Sequence, residues 1–308
     1  MIKVNVSSIQ SFMACRFRWW CEWVMNRTPR NTSPALTGGK IIHEIFEGHF
    51  QNGEALQTAA NMAVTKYKRL LPALTDAELK NAEESIKIIT DLDEAWPLWQ
   101  DKFPFEKMLE CEKPFEIVIP WLAKDITWLG RPDYIGVCLG RIWHRQNRGL
   151  AAGMNFGTYL ALAKRHYHEH LYAEYAAEEY KHLGLRYGGT VWNLVRKLKF
   201  RTNVGKKNEQ TKTAEEMFFS QASPVNLKSP LHKAVMMAAR DHVYEMDRVR
   251  REWDQESKIP PPNEKMNGGY GGNALDPYFL VLTGEIKLSD DKWFKDREDM
   301  YEEKVGKK

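Results

Sequence analysis

In the stretch GRPDYIGVCLGRIWHRQNRGL, residues 130–150, Asp133 precedes an apolar run, Leu139-Gly140 offers a turn, and a second run carries Gln146, Asn147 and Arg148. β-Branched and aromatic residues in alternation on both sides of a glycine predict a hairpin. Asp133 and Gln146 then lie on adjacent strands and can converge at one end of the sheet. Period-two alternation puts Gln146 and Arg148 on the same face. An aspartate is a hard oxygen ligand for Mg2+ or Mn2+, and a glutamine carbonyl is a weaker, neutral one. With a fixed cation beside them the set suits phosphodiester hydrolysis: a metal activates water, and Arg148 holds charge developing on phosphorus. A plain surface hairpin carries the same pattern, so the neighbours decide.

The elements that must position these residues are of two kinds. Ser7 and Ser8 can cap a helix from Ile9 to Asn26 in which Arg16 and Arg18 lie among Trp19, Trp20 and Trp23. A helix begins after Gly38-Gly39, a further one runs from Gly53 to Leu71, and Thr75-Asp76 caps another to Trp99. The pattern then turns to strands: KPFEIVIPWL, ITWLGRPDYIGVCL and RIWHRQNRGL. One long helical pattern covers Phe156 to Leu183, GGTVWNLVRKL reads as a strand, 201–216 as polar and mobile, and Leu231 to Trp253 as a helix. The fold class expected is α/β (α+β), one domain over 1–308: a helical lobe (1–105), a β-sheet core (106–200) and a helical or irregular C-terminal region (201–308).

Composition bounds the function. The 308 residues are 43% hydrophobic and 28% charged, as in a globular protein. A net charge of +4 is mild, so affinity for nucleic acid has to come from local clusters. The densest is 196–207, with Arg196, Lys197, Lys199, Arg201, Lys206 and Lys207, which suits phosphate contacts or is a solvated loop. MIKVNVSSIQ lacks the apolar core of a signal peptide, and no apolar run is long enough for a membrane span. Four scattered cysteines (15, 21, 111 and 138) read as reduced thiols in a cytoplasmic protein.

Other residues invite chemistry as well. His166, His168 and His170 suggest zinc, and on one helix His166 and His170 would share a face; a solvated basic face is the alternative. His43 and His49 are six apart, so HEIFEGH is not a zinc-protease motif. Glu112, before Asp133 on the preceding strand, can supply a further carboxylate or be a strand-end surface residue.

Taken in order, several segments resemble the PD-(D/E)XK nuclease superfamily in its RecB-like branch. SSIQSFMACRFRWWCEWV resembles the N-terminal helix of that family, GGKIIHEIFE its Gly-x-x-x-His-Glu helix, and GRPDYIGV its Pro-Asp strand. IWHRQNRGL stands where the acid-x-Lys strand belongs, and HEHLYAEYA where the Gln-x-x-x-Tyr helix belongs. The resemblance covers most of 1–200. It implies a restriction-endonuclease-like central mixed sheet flanked by helices. It also implies a Mg2+ or Mn2+ site made by His43, Asp133, Gln146 and the Asn147 carbonyl, with Arg148, His168 and Tyr172 completing a catalytic set. DNA is the implied partner, with Arg16 and the 196–207 run contacting it. The implied activity is DNA hydrolysis, as an exonuclease leaving 5′-phosphates, in phage or bacterial DNA processing.

Three positions depart from the family. Gln146 replaces an acid and removes a negative charge; His168 replaces a glutamine. Arg148 replaces a lysine and cannot act as a base, although it can clamp a phosphate in bidentate fashion. These departures leave a second reading open, a catalytically inactive DNA-binding or assembly subunit. Some members of the branch hold an iron–sulfur cluster through one N-terminal and three C-terminal cysteines. Cys15 stands at the first position, but Asn267, Asp276 and Leu282 stand near the others, so no cluster is expected.

Overall fold

In a computed structural model of the chain, the residues described are 1–29, 34–71, 74, 76–163, 165–207, 209–256, 281, 287–289, 291 and 294–296. In chain order the elements begin β1 (Ile2–Asn5), α1 (Val6–Ala14), α2 (Arg16–Trp19), β2 (Arg27–Pro29), α3 (Pro34–Asn52), α4 (Leu56–Leu70), α5 (Asp76–Thr90) and β3 (Lys107–Cys111). Next come β4 (Phe115–Ile119), β5 (Ala123–Gly130), β6 (Tyr134–Cys138), β7 (Arg141–Leu150), α6 (Phe156–Ala163), α7 (Tyr167–Glu179) and β8 (Tyr187–Arg196). The rest are β9 (Arg201–Thr202), β10 (Gln210–Thr211), α8 (Ala214–Met217), β11 (Phe218–Pro224), α9 (Pro230–Glu256) and β12 (Phe294–Asp296).

The fold is mixed α/β, with mixed sheets and flanking helices. The chain forms two compact units, each drawn from separated segments: residues 1–30, 114–130 and 233–308 in one, 31–113 and 131–232 in the other. The segments of the two units alternate along the chain. Pairing over long sequence distances decides membership, and local pattern does not encode it.

The second unit holds a five-stranded sheet in the order β11-β8-β7-β6-β3. β7 and β8 are parallel and the other neighbours antiparallel. α6 and α7 make the crossover between the parallel pair, as such a pair requires. The β6–β7 hairpin turns at Leu139 and Gly140, with φ of 51° and 63°. Two consecutive positive φ values make the tight turn whose twist matches the flanking strands. On α3, Ile41, Ile42, Ile45 and Phe46 recur at helical spacing and are fully buried, packed with Leu56, Ile89 and Trp96. Gly149 on β7 lets this helix lie close: a Cβ there would stand 2.7 Å from Ile42 Cδ1.

A second buried device locks the loop before β3. Arg145 is 1% exposed, and its two terminal nitrogens donate to Asp101 at 2.9 and 3.1 Å. Its guanidinium lies 4.3 Å from the Phe50 ring centre and 4.5 Å from that of Phe105. Phe105 in turn fills the space that a side chain on Gly136 would need.

The first unit holds a three-stranded sheet, β1-β5-β4, in which β1 runs parallel to β5. The strands over 115–130, expected to join the same sheet as the hairpin, therefore belong to a different one. The helix expected over 9–26 starts earlier and breaks. Asn5, not Ser7 or Ser8, is the N-cap, its Oδ1 accepting from Ser8 N at 2.8 Å. Cys15 is extended (φ −160°) and caps α2, and a π-helical turn follows over Trp20–Val24. Cys15, Phe17, Cys21 and Phe294 form an apolar cluster.

Two further expectations change. The pattern over 156–183 is two helices, α6 and α7, broken near His166. The charged segment 201–216 is partly ordered: β9 pairs with β10, and Thr213 and Glu216 cap α8 reciprocally. Asn267, Asp276 and Leu282 lie outside the described residues. Among the described residues no helix is long and apolar enough to cross a membrane.

Candidate metal centre

The site begins with strand register. Cys111 pairs with Tyr134, and Tyr134 with Arg145. The next residues outward, Glu112, Asp133 and Gln146, therefore stand in one row across the ends of β3 and β6 and the middle of β7. Glu112 N donates to the Asp133 carbonyl at 3.0 Å and continues the ladder by one step. Glu112 holds a left-handed backbone, φ 48°, and its carboxylate lies within reach of Asp133. Asp133 is 5% exposed, and its Oδ2 accepts from Asn147 N at 2.8 Å.

Helix α3 supplies the third group. With Ile42 seated over Gly149, His43 points at the strand ends, its Nδ1 3.4 Å from Asp133 Oδ2. His43, Glu112 and Asp133 each offer a ligand atom, and these atoms lie within 4.8 Å of one another. Among the described residues this is the one such group of three. The sequence pattern offered Glu112 as a possible carboxylate, and the row of strand ends is what brings it to the other two.

Arg148 reaches into the same place. Its Nη1 lies 2.7 Å from His43 Nε2, 3.3 Å from the Asn147 carbonyl and 3.8 Å from Asp133 Oδ2; its Nη2 donates to Gln146 Oε1. Gln146 is 1% exposed, and its Nε2 is buried with no hydrogen-bond partner among the described residues. Because a guanidinium only donates, His43 Nε2 is the acceptor and the ring proton sits on Nδ1, facing Asp133. Burial lowers the His43 pKa; Asp133 opposes this, and Arg148 and Arg131 add to it. The imidazole is therefore neutral at pH 7, the form a metal requires.

The flanking residues hold this arrangement in place. Arg131 Nε pairs with Glu112 Oε2 at 2.9 Å. Tyr172 is buried on α7, and its hydroxyl donates to the Arg131 carbonyl at 3.0 Å, which fixes the turn leading into Asp133. The structure thus gives Tyr172 a positioning contact with backbone. His168 lies against the Tyr172 ring, and burial followed by Arg148 lowers its pKa to about 3.

The sequence reading, which weighed a solvated face for the histidines of this helix, did not single out Glu169. It is 2% exposed, accepts from Thr190 and lies 3.6 Å from His144 Nε2. Burial raises its carboxyl pKa, with His144 and then Arg148 opposing. The signal that could have found it is its spacing from Tyr172, Ala173 and Ala176, which put it on the apolar face of α7. The histidine row does not assemble as a metal set. His166 precedes α7, and His170 is buried with its Nδ1 3.0 Å from His232 Nδ1. The apparent shared face required one continuous helix, and the break removes it.

The basic residues do not form a single cluster. Arg196 ends β8 next to β7 and Lys197 follows it: the Arg196 guanidinium stacks 4.3 Å from the Phe156 ring centre, and the Lys197 stem passes Gly149. Arg201 pairs with Glu94 at 2.7 Å. Lys199, Lys206 and Lys207 are exposed, the latter two on the loop between β9 and β10. Arg16 belongs to the other unit, where it pairs with Glu245. Replacing both Lys206 and Lys207 with glutamine is expected to lower the slope of log affinity for DNA against log salt by up to about 2. An unchanged slope would remove the loop from the DNA contact.

The donor set fits a divalent ion. One imidazole nitrogen and two carboxylates suit Mn2+, and the carboxylates with the Gln146 and Asn147 carbonyls suit Mg2+. No protein-family model matches the sequence, and no characterised protein was found to match it.

Proposed function

We propose that the protein is a Mg2+- or Mn2+-dependent deoxyribonuclease that degrades DNA from its ends. The observation that carries this reading is the convergence of His43, from the middle of α3, with Glu112 and Asp133 at the ends of β3 and β6, with two arginines beside them. His43, Glu112 and Asp133 would hold the ion, with the Gln146 and Asn147 oxygens alongside. That ion supplies Lewis-acid polarisation of a phosphoryl oxygen and a water acidic enough to ionise near neutral pH. Arg148 and Arg131 contribute fixed positive charge for the scissile phosphate, and neither accepts a proton at this pH. Tyr172 keeps Asp133 in place through the Arg131 carbonyl. The exposed lysines at 199, 206 and 207 lead a strand of DNA away from the site.

The test is to incubate the protein with linear and covalently closed DNA in Mg2+, Mn2+ or EDTA. The expected result is loss of linear DNA with either metal, faster in Mn2+, and none in EDTA. A specific observation favours a second reading, an inactive DNA-binding subunit: Arg148 already touches each of the predicted ligands. That reading predicts DNA retention in EDTA and no cleavage with any metal.

A further inference from the structure

We propose that Arg148 is a resident cation of this site, held within the ligand set and expelled from it when a divalent metal binds. The inference rests on the metal-site reading above. It starts from the contacts of a single guanidinium. His43 Nε2, the Asn147 carbonyl, Asp133 Oδ2 and Gln146 Oε1 are the atoms the sequence marked as metal ligands, and Arg148 faces all of them. A group that donates in a plane to several acceptors is the nearest protein equivalent of a bound cation.

Competition follows from the lone pairs. His43 Nδ1 faces Asp133 and carries the ring proton, so Nε2 has the one lone pair that the imidazole can offer. Arg148 uses that lone pair. A metal therefore binds His43 only after Arg148 has let go, or after the ring has been deprived of its contact with Asp133. Arg148 cannot yield by losing its proton, because its pKa lies far above any working pH. It has to move. With its side chain 31% exposed, it is not sealed in and has a way out.

Charge balance points the same way. Among the charged side chains paired at the ligand atoms, Glu112 and Asp133 bring two negative charges, and Arg131 and Arg148 bring two positive ones that offset them. A divalent ion added without any departure would leave a double positive excess in a largely buried place. Release of Arg148 toward a phosphodiester removes one of those two excess charges from the ligand set and delivers the guanidinium to the group it is to clamp. The neutral Gln146 makes release easier than a glutamate would. Its hydrogen bond to Arg148 is charge-assisted from one side only, and Arg148 is not locked into an ion pair on β7.

The experiment measures Mn2+ binding by calorimetry for the wild-type protein, Arg148→Gln and Arg148→Met, with Asp133→Ala as the non-binding control and circular dichroism to confirm folding. Both Arg148 variants are expected to bind Mn2+ at least about tenfold more tightly than wild type, since a like charge has left the site. They are also expected to lose DNA cleavage. A second readout needs no variant to fold: in wild-type protein labelled at arginine nitrogen, Mg2+ titration is expected to shift one buried-type Nε–H signal to the position of a solvated guanidinium. Unchanged or weaker Mn2+ affinity in both variants, with a wild type that binds metal and cleaves DNA, overturns this inference and leaves the nuclease reading standing. Tighter binding in the variants with no cleavage by any form supports the resident cation and overturns the nuclease reading. No metal binding by any form overturns both.

Discussion

Replacing Asp133 with alanine is expected to reduce metal-dependent DNA degradation by about a thousandfold or more, the scale on which loss of a single charge-stabilising group acts. Asp133 is the residue on which the other site groups converge: Asn147 N at 2.8 Å, His43 Nδ1 at 3.4 Å and Arg148 Nη1 at 3.8 Å. Alanine also leaves the buried Asn147 N–H without its acceptor, at a cost to stability of about 1–3 kcal/mol. Asp133→Asn separates the two effects. An asparagine oxygen can still accept from Asn147, so folding is retained, but the negative charge that holds a cation is lost. The measurements are release of acid-soluble nucleotide from labelled linear DNA and the thermal midpoint of each variant. An asparagine variant within tenfold of wild-type activity would remove Asp133 from the metal set.

The largest effect on stability is expected at Arg145. Arg145→Ala is predicted to cost about 3–5 kcal/mol, the range for removing one partner of a buried ion pair. Asp101 would keep its charge, 19% exposed, with no guanidinium to face it. The space between the Phe50 and Phe105 rings would become a cavity. Arg145→Lys is expected to recover less than half of the loss, because a single ammonium cannot donate twice to Asp101 and lie flat between two rings. Urea unfolding followed by tryptophan fluorescence checks both values. A cost below about 1 kcal/mol for alanine would show that the clamp contributes little. Cleavage by the remaining folded protein is expected to persist, since Arg145 and the site residues Gln146 and Arg148 point to different sides of β7.

Much of the hairpin was legible in the sequence, and less of what surrounds it. Alternation across 134–150 with a Leu-Gly turn is a local signal, and the observed register follows from it. The apolar stripe of α3 is local too, and it orients His43. Glu112 was harder to place. Its position depends on a strand, KMLEC, with no β-branched residue and an irregular register, and on a backbone angle that no residue preference announces. The sheet membership of 115–130 depends on a parallel pairing with residues 2–5, which are more than a hundred positions away. Glu169 shows the remaining limit. Its adjacent residues His168 and His170 are polar, and the buried Tyr172, Ala173 and Ala176 that share its face show that side to be the packed one.

The left-handed backbone at Glu112 has an evolutionary consequence. Glycine adopts that conformation freely, whereas a side chain there costs about 1 kcal/mol or more. Heat selection acting on survival of the fold alone would drift toward glycine at 112 and discard an acidic ligand on the way. Under the proposed function, a thermally hardened lineage of this protein would then be the inert one.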